Sequence, residues 1–165
     1  MKKIIKQLKQ IIEELEKSEK PKLEFEDNNF KINSDDWKKI TVNGKHYLVN
    51  PEEDIWEILD RECRGEQLFT YDAAIRETKK RNKRIPTDEE FTELLQTKDD
   101  MPNLVYPGYR YYTGYFSDRG SYAYFWSSSV AGTDAWRRNL YSSEARVSRD
   151  TRPQTHGFSV RCLKD

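Results

Sequence analysis

Histidine and cysteine, from which metal centres and activated nucleophiles are often built, occur only twice each in 165 residues. His46 and His156 stand in unrelated contexts, and neither Cys63 nor Cys162 has a CxxC or His-rich neighbourhood. Two free thiols are expected, with one Cys63–Cys162 disulfide as the alternative. No GxSxG, HExxH or P-loop pattern is present. No stretch approaches the roughly 18 consecutive apolar residues of a membrane helix, so no membrane insertion is expected. Net charge is absent too: 29 basic residues balance 29 acidic ones. Without a global field, nucleic acid is not an expected partner. Polar residues interrupt the apolar run of MKKIIKQLKQIIEELEK, which is therefore not read as a signal peptide. Cytoplasmic synthesis is expected, with incorporation into a virion as a further possibility.

Aromatic residues, by contrast, make up 13% of the chain, which argues against disorder. Composition also changes along it. Residues 1–67 carry 13 Lys+Arg and 16 Asp+Glu, mostly lysine and glutamate. Residues 105–165 hold 8 arginines but 1 lysine, with 8 of the 10 tyrosines and 9 serines. Tyrosine offers a large rigid contact area, serine adaptable hydrogen bonding, and arginine is enriched at interfaces where lysine is depleted. The last third thus has the composition of a binding surface. The competing reading, a tyrosine-rich core, suits Trp126, Trp136 and Phe158, which are assigned to packing. It suits Tyr111-Tyr112 and Arg137-Arg138 poorly, because adjacent bulky residues face opposite ways.

Ile4, Ile5, Leu8, Ile11, Ile12 and Leu15 recur at helical spacing, giving an amphipathic helix that Pro21 stops. Its apolar face either packs on its own domain or supports oligomerisation. ITVNGKHYLV is a hairpin signal around Asn43-Gly44, and residues 51–62 suggest a short helix carrying Ile55, Trp56 and Leu59. Thr70 caps a helix running to Arg81; Thr87 and Glu90 form a capping box before the Phe91, Leu94, Leu95 face. Asp88-Glu89-Glu90 complement that helix's dipole rather than supply acid/base catalysis. Asp99-Asp100 is read as a turn rather than a calcium site. Beyond Leu104, short strands and turns take over. Alternation puts Phe158, Val160 and Cys162 on one buried face, and Arg137, Asn139 and Tyr141 opposite Trp136 and Leu140. From Glu144 to Asp150 the odd positions Ala145 and Val147 face a core and the even ones solvent.

LFTYDAAIRETKKRNKRIPTDEEFTELL resembles the helix–RIPT–helix unit of C-type-lectin domains in the formylglycine-generating-enzyme-like branch. GYRYYTGYFSDRGSYAYFWSSS and GFSVRCLKD resemble the closing strands of FISUMP-type bacterial surface proteins and of the variable proteins of diversity-generating retroelements. The resemblance covers about residues 68–165. It implies an α+β, C-type lectin fold with two helices, a small antiparallel sheet and long loops, preceded by an N-terminal helix and hairpin extension at 1–67. It also implies a variable region at about 105–156. Retroelement copying replaces template adenines, so asparagine codons become codons for Tyr, Asp, Ser, Thr, His, Arg or Pro among others. The residues of that kind are Tyr112, Ser117, Asp118, Tyr122, Asp134, Arg137, Tyr141, Ser148, Asp150, Thr151, Pro153 and His156; Glu144 and Arg146 complete the expected ligand-binding set. Gly108, Arg110, Arg119-Gly120, FWSSS, Trp136 and GFSVR resemble family scaffold.

The resemblance implies no enzyme, cofactor or metal. The formylglycine-generating enzyme needs a reactive cysteine pair in this region, where only Cys162 stands. The sulfoxide synthases need two histidines and a carboxylate together. The EPN, QPD and WND signatures of calcium-dependent lectins are missing. The implied partner is a protein or cell-surface ligand, recognised on behalf of a virus or a cell.

Overall fold

The structure, a computed structural model, describes residues 1–19, 22–26 and 30–164, the side chains of 17–19 apart. Pro21, the expected helix stop, lies outside them; helix α1 spans Lys2–Glu19. The body is α+β. A four-stranded antiparallel sheet runs β1 (Lys38–Val42), β2 (Lys45–Val49), β3 (Ile55–Ile58), β4 (Gln67–Phe69) in that order. Helices α2 (Tyr71–Lys80) and α3 (Asp88–Leu94) follow, then a short ribbon of β5 (Tyr109–Arg110) and β6 (Phe116–Ser117). A three-stranded antiparallel meander, β7 (Tyr122–Ala131), β8 (Asp134–Tyr141) and β9 (Val147–Pro153), completes the elements.

Local chemistry accounts for the joints. Asn43 and Gly44 both take positive φ, 49° and 76°, as the two-residue turn between β1 and β2 requires. The Thr70 hydroxyl accepts from the Ala73 amide at the start of α2, and Thr87 with Glu90 closes a reciprocal capping box on α3. Asp100 lies in a single 3-10 turn, where its carboxylate accepts from the Gln96 and Thr97 amides.

The segment expected to be helical at 51–62 is strand β3. Its four residues are all buried, with β2 and β4 hydrogen-bonded on either side. A short apolar run enclosed on both faces shows neither period clearly, so tertiary pairing decides it. The boundary expected between 67 and 68 falls inside β4, so the hairpin belongs to the same sheet as residues beyond it.

The terminal segment joins the sheets. Phe158 bridges Phe69 of β4, Ser159 bridges Phe125 of β7, and Gly157 bridges Arg110 of β5. Phe158, Val160 and Cys162 enter the main core with Phe69, Ala74, Ile85 and Trp126. A second cluster of Phe91, Leu95, Ala123, Phe125 and Leu140 lies between α3 and the other face of β7–β8. Cys63 packs with Tyr47 and Ile58 in a third, so the two thiols are buried in separate clusters and form no disulfide with each other.

The serines of FWSSS sit where β7 breaks register, between Trp126 and Val130. There the Ser128 amide donates to Pro86 O, the Ser129 hydroxyl accepts from the Asp88 amide, and the Tyr71 hydroxyl donates to Ser128 O. The irregularity docks both helices on the meander. One glycine is sterically required. At Gly108, φ 69°, an added Cβ would stand 1.9 Å from Ser117 O.

Candidate functional site

Side chains alternate along a strand, so β7, β8 and β9 each give one row to the meander face turned away from α3. β7 supplies Tyr122 and Tyr124, β8 Arg137, Asn139 and Tyr141, and β9 Ser148, Asp150 and Arg152. With Asp118 from the preceding turn, seven of these, all except Ser148, line an open cleft of about 380 Å³. Five belong to the set expected from the sequence: Asp118, Tyr122, Arg137, Tyr141 and Asp150. Ser148 joins them through hydrogen bonding with Tyr141 and Asn139.

Arg137 organises the floor. It is buried, its Nε donates to Asp150 Oδ1 at 2.8 Å, and its guanidinium lies 4.1 Å from the Tyr124 ring centroid and 4.9 Å from that of Phe158. Arg152 pairs with the other Asp150 oxygen at 2.9 Å. Burial alone would raise the Asp150 carboxyl, but the hydrogen bond and charge of Arg137, with Arg152 behind it, hold it below the usual range. The Tyr124 hydroxyl, pushed up by burial and by Asp118, stays protonated and donates to Asp118 Oδ2 at 2.7 Å. Above this floor Tyr122 stacks on Tyr124 and meets the Tyr141 ring edge-on, at centroid distances of 5.8 and 5.3 Å. Arg146 covers Tyr141 at 4.8 Å while pairing with Glu144, both exposed. The side-chain Oδ1 of Asn139 is buried without a hydrogen-bond partner.

Next to the cleft lies an aromatic cluster. His156 stacks parallel to Tyr109 at 5.9 Å and meets Tyr111 edge-on at 5.0 Å; Tyr112 and Tyr115, both exposed, extend it outwards. A separate cleft of about 780 Å³ is lined by Asp134 and Pro153 together with Asp54, Asp72 and Arg76. Ser117 and Asp118 also border a smaller cavity of about 220 Å³ against Tyr47 and Phe116. The expected residues therefore spread over several places around the β7–β9 meander.

Several expectations need correction. Arg137 and His156, expected on the surface, are 6% and 4% exposed. Arg137 and Arg138 do point opposite ways, but both are buried. Arg138 reaches through the second face to the Asp88 carboxylate and donates to Asp88 O and Thr92. Arg149 braces Asp88 from β9 and stacks 3.9 Å over Trp136, which is half-buried rather than core. Ala145, expected to face a core, is exposed because β9 begins only at Val147. Asp118 is not freely replaceable: it holds φ 67° and accepts from Ser117 and Tyr124. Tyr124, Asn139 and Arg152 went unnamed among the site candidates, although the same alternation places them beside Tyr122, Arg137 and Asp150.

The burial of His156 has a pH consequence. Burial, then the charges of Arg137 and Arg152, push its imidazole below the ordinary 6.5. The folded chain keeps it neutral where the unfolded chain takes up a proton. Its contribution is thus whole above about pH 6.5 and is lost as pH falls towards the folded value. Between about pH 7.5 and about pH 5.5, denaturant titrations should show wild type losing more stability than His156→Gln. Equal losses in the two proteins would contradict this.

Comparison with known proteins finds no match: no family model fits the chain, and no curated protein or solved structure is significantly similar to it.

Proposed function

We propose that this chain is a non-catalytic ligand-binding protein that displays a diversified surface on a C-type lectin scaffold, recognising a receptor or other macromolecule for a virus or a cell. The observation that carries the reading is the convergence of Tyr122, Arg137, Tyr141, Ser148 and Asp150 from three strands on one open face, beside the exposed Tyr112. Tyrosines and arginines over a rigid sheet are what binding hot spots are made of. The residues that resemble family scaffold lie beneath: Trp126, Phe158 and Ile85 in the main core and Phe125 in the second. Binding is favoured over catalysis because the cleft's ionisable groups are already engaged. Asp150 is held by two arginines, and Asp118 accepts from Tyr124.

The Arg137–Asp150 lock favours a second reading at that one spot, a fixed-specificity FISUMP-like adhesion site, since an interlocked pair with one buried partner resists variation.

A display library with Tyr112, Tyr122, Tyr141, Arg146, Ser148 and Thr151 randomised tests the main reading. Most clones should keep wild-type protease resistance, because the scaffold does not depend on these side chains. Selection against unrelated proteins should then return binders whose affinity depends on one or two aromatic or arginine positions. General loss of protease resistance across the library would refute the reading.

A further inference from the structure

Helix α1 carries its whole apolar stripe towards solvent. Ile4, Ile5, Leu8, Ile11, Ile12 and Leu15 are each between 50% and 59% exposed. A helix of about 27 Å with such a half-exposed stripe is marginal in water. The charges make its isolation worse. Residues 2–10 hold four lysines and no acid, whereas residues 11–19 hold four glutamates and one lysine. Lysine therefore sits at the positive end of the helix dipole and glutamate at the negative end, against the favourable arrangement.

We infer that α1 is a self-association element that pairs antiparallel with α1 of a second copy. At 100° per residue the apolar stripe is flanked on one side by Glu16, Lys9 and Lys2 and on the other by Gln7 and Glu14. In an antiparallel pair like flanks meet, so Lys2 of one copy faces Glu16 of the other at each end, with Lys9 meeting Lys9 at the midpoint. The two dipoles then oppose each other, and each basic half lies along an acidic half. A parallel pair would bring lysine to lysine and glutamate to glutamate. Along the seam, Ile5 of one copy packs against Leu15 of the other and Leu8 against Ile12, so each layer pairs an isoleucine with a leucine. Two binding faces would thereby be carried on one assembly, which gains avidity wherever a target repeats.

The full chain in sedimentation equilibrium tests this. A species of twice the 19.7 kDa chain mass is expected, reverting to monomer in the Leu8→Asp, Ile12→Asp double variant with the body's melting transition unchanged. Orientation is read from cysteine cross-linking. A mixture of Lys2→Cys and Glu16→Cys chains should form an inter-chain disulfide readily, and Lys2→Cys alone slowly; both native thiols are buried. A wild-type chain that stays monomeric overturns the inference, including one that binds phosphatidylserine vesicles through the helix instead. Faster cross-linking of Lys2→Cys with itself than with Glu16→Cys overturns the antiparallel geometry.

Discussion

Arg161→Met should lower unfolding stability by about 3–5 kcal/mol, the usual cost of breaking a buried ion pair from one side. Arg161 and Glu66 are 2% and 4% exposed and meet fork to fork at 2.8 and 3.2 Å. The remaining N–H groups of the guanidinium donate to the carbonyls of Pro102, Asn103 and Val160, so all five donors of the side chain are engaged. Removing the arginine takes its fork-to-fork partner from a buried carboxylate and one donor from each of three carbonyls. Converting both partners, with Glu66→Met added, should recover much of the loss, since the buried charge disappears while the carbonyls still lack the arginine's donors. Urea titrations of the single and double variants measure both. A double variant no more stable than the single one would show that the pair is not the main cause.

Trp126→Ala should cost a comparable amount, about 3–5 kcal/mol, by a different route. The indole is fully buried, packs 4.3 Å from the Phe158 ring centroid, and donates its only N–H to Phe69 O at 2.7 Å. Truncation leaves a cavity where β4, β7 and the terminal segment meet, and it removes one of the two hydrogen bonds that Phe69 O accepts, leaving the one from the Phe158 amide. Trp126→Phe should retain most of the packing and lose chiefly the hydrogen bond, costing less. A melt of Trp126→Ala within a degree or two of wild type would remove Trp126 from the core.

These two effects show why some of the molecule was legible in the sequence and some was not. The Asn43-Gly44 turn, the Thr70 cap and the Thr87–Glu90 box are decided by neighbours within a few residues, and the local pattern carries them. Phe158, Val160 and Cys162 alternate over a strand, so their shared burial is likewise local. Burial of arginine is not. Arg137 and Arg138 read as surface or interface residues until Asp150 and Asp88 are brought to them, and nothing local in GFSVR shows that Arg161 meets Glu66, 95 positions away in the chain. The same holds for His156, which enters the interior only because Tyr109 and Tyr111 close over it. The face bearing Tyr122, Arg137 and Tyr141 could be read from alternation, and so could Tyr124 and Asn139. Its division from the cleft of Asp134 and Pro153 could not, because that depends on how the ends of β8 and β9 approach α2.

The central claim is that this face varies while the scaffold beneath it stays fixed. Sequencing the gene with its flanking DNA from several isolates tests it most directly. The account predicts a reverse-transcriptase gene nearby and an asparagine-rich near-copy of codons 110–160. Differences from that copy should fall at adenines and concentrate at Tyr112, Tyr122, Tyr141 and Ser148. Isolates that differ equally at Trp126, Phe158 and the surface positions, with no near-copy beside the gene, would contradict it.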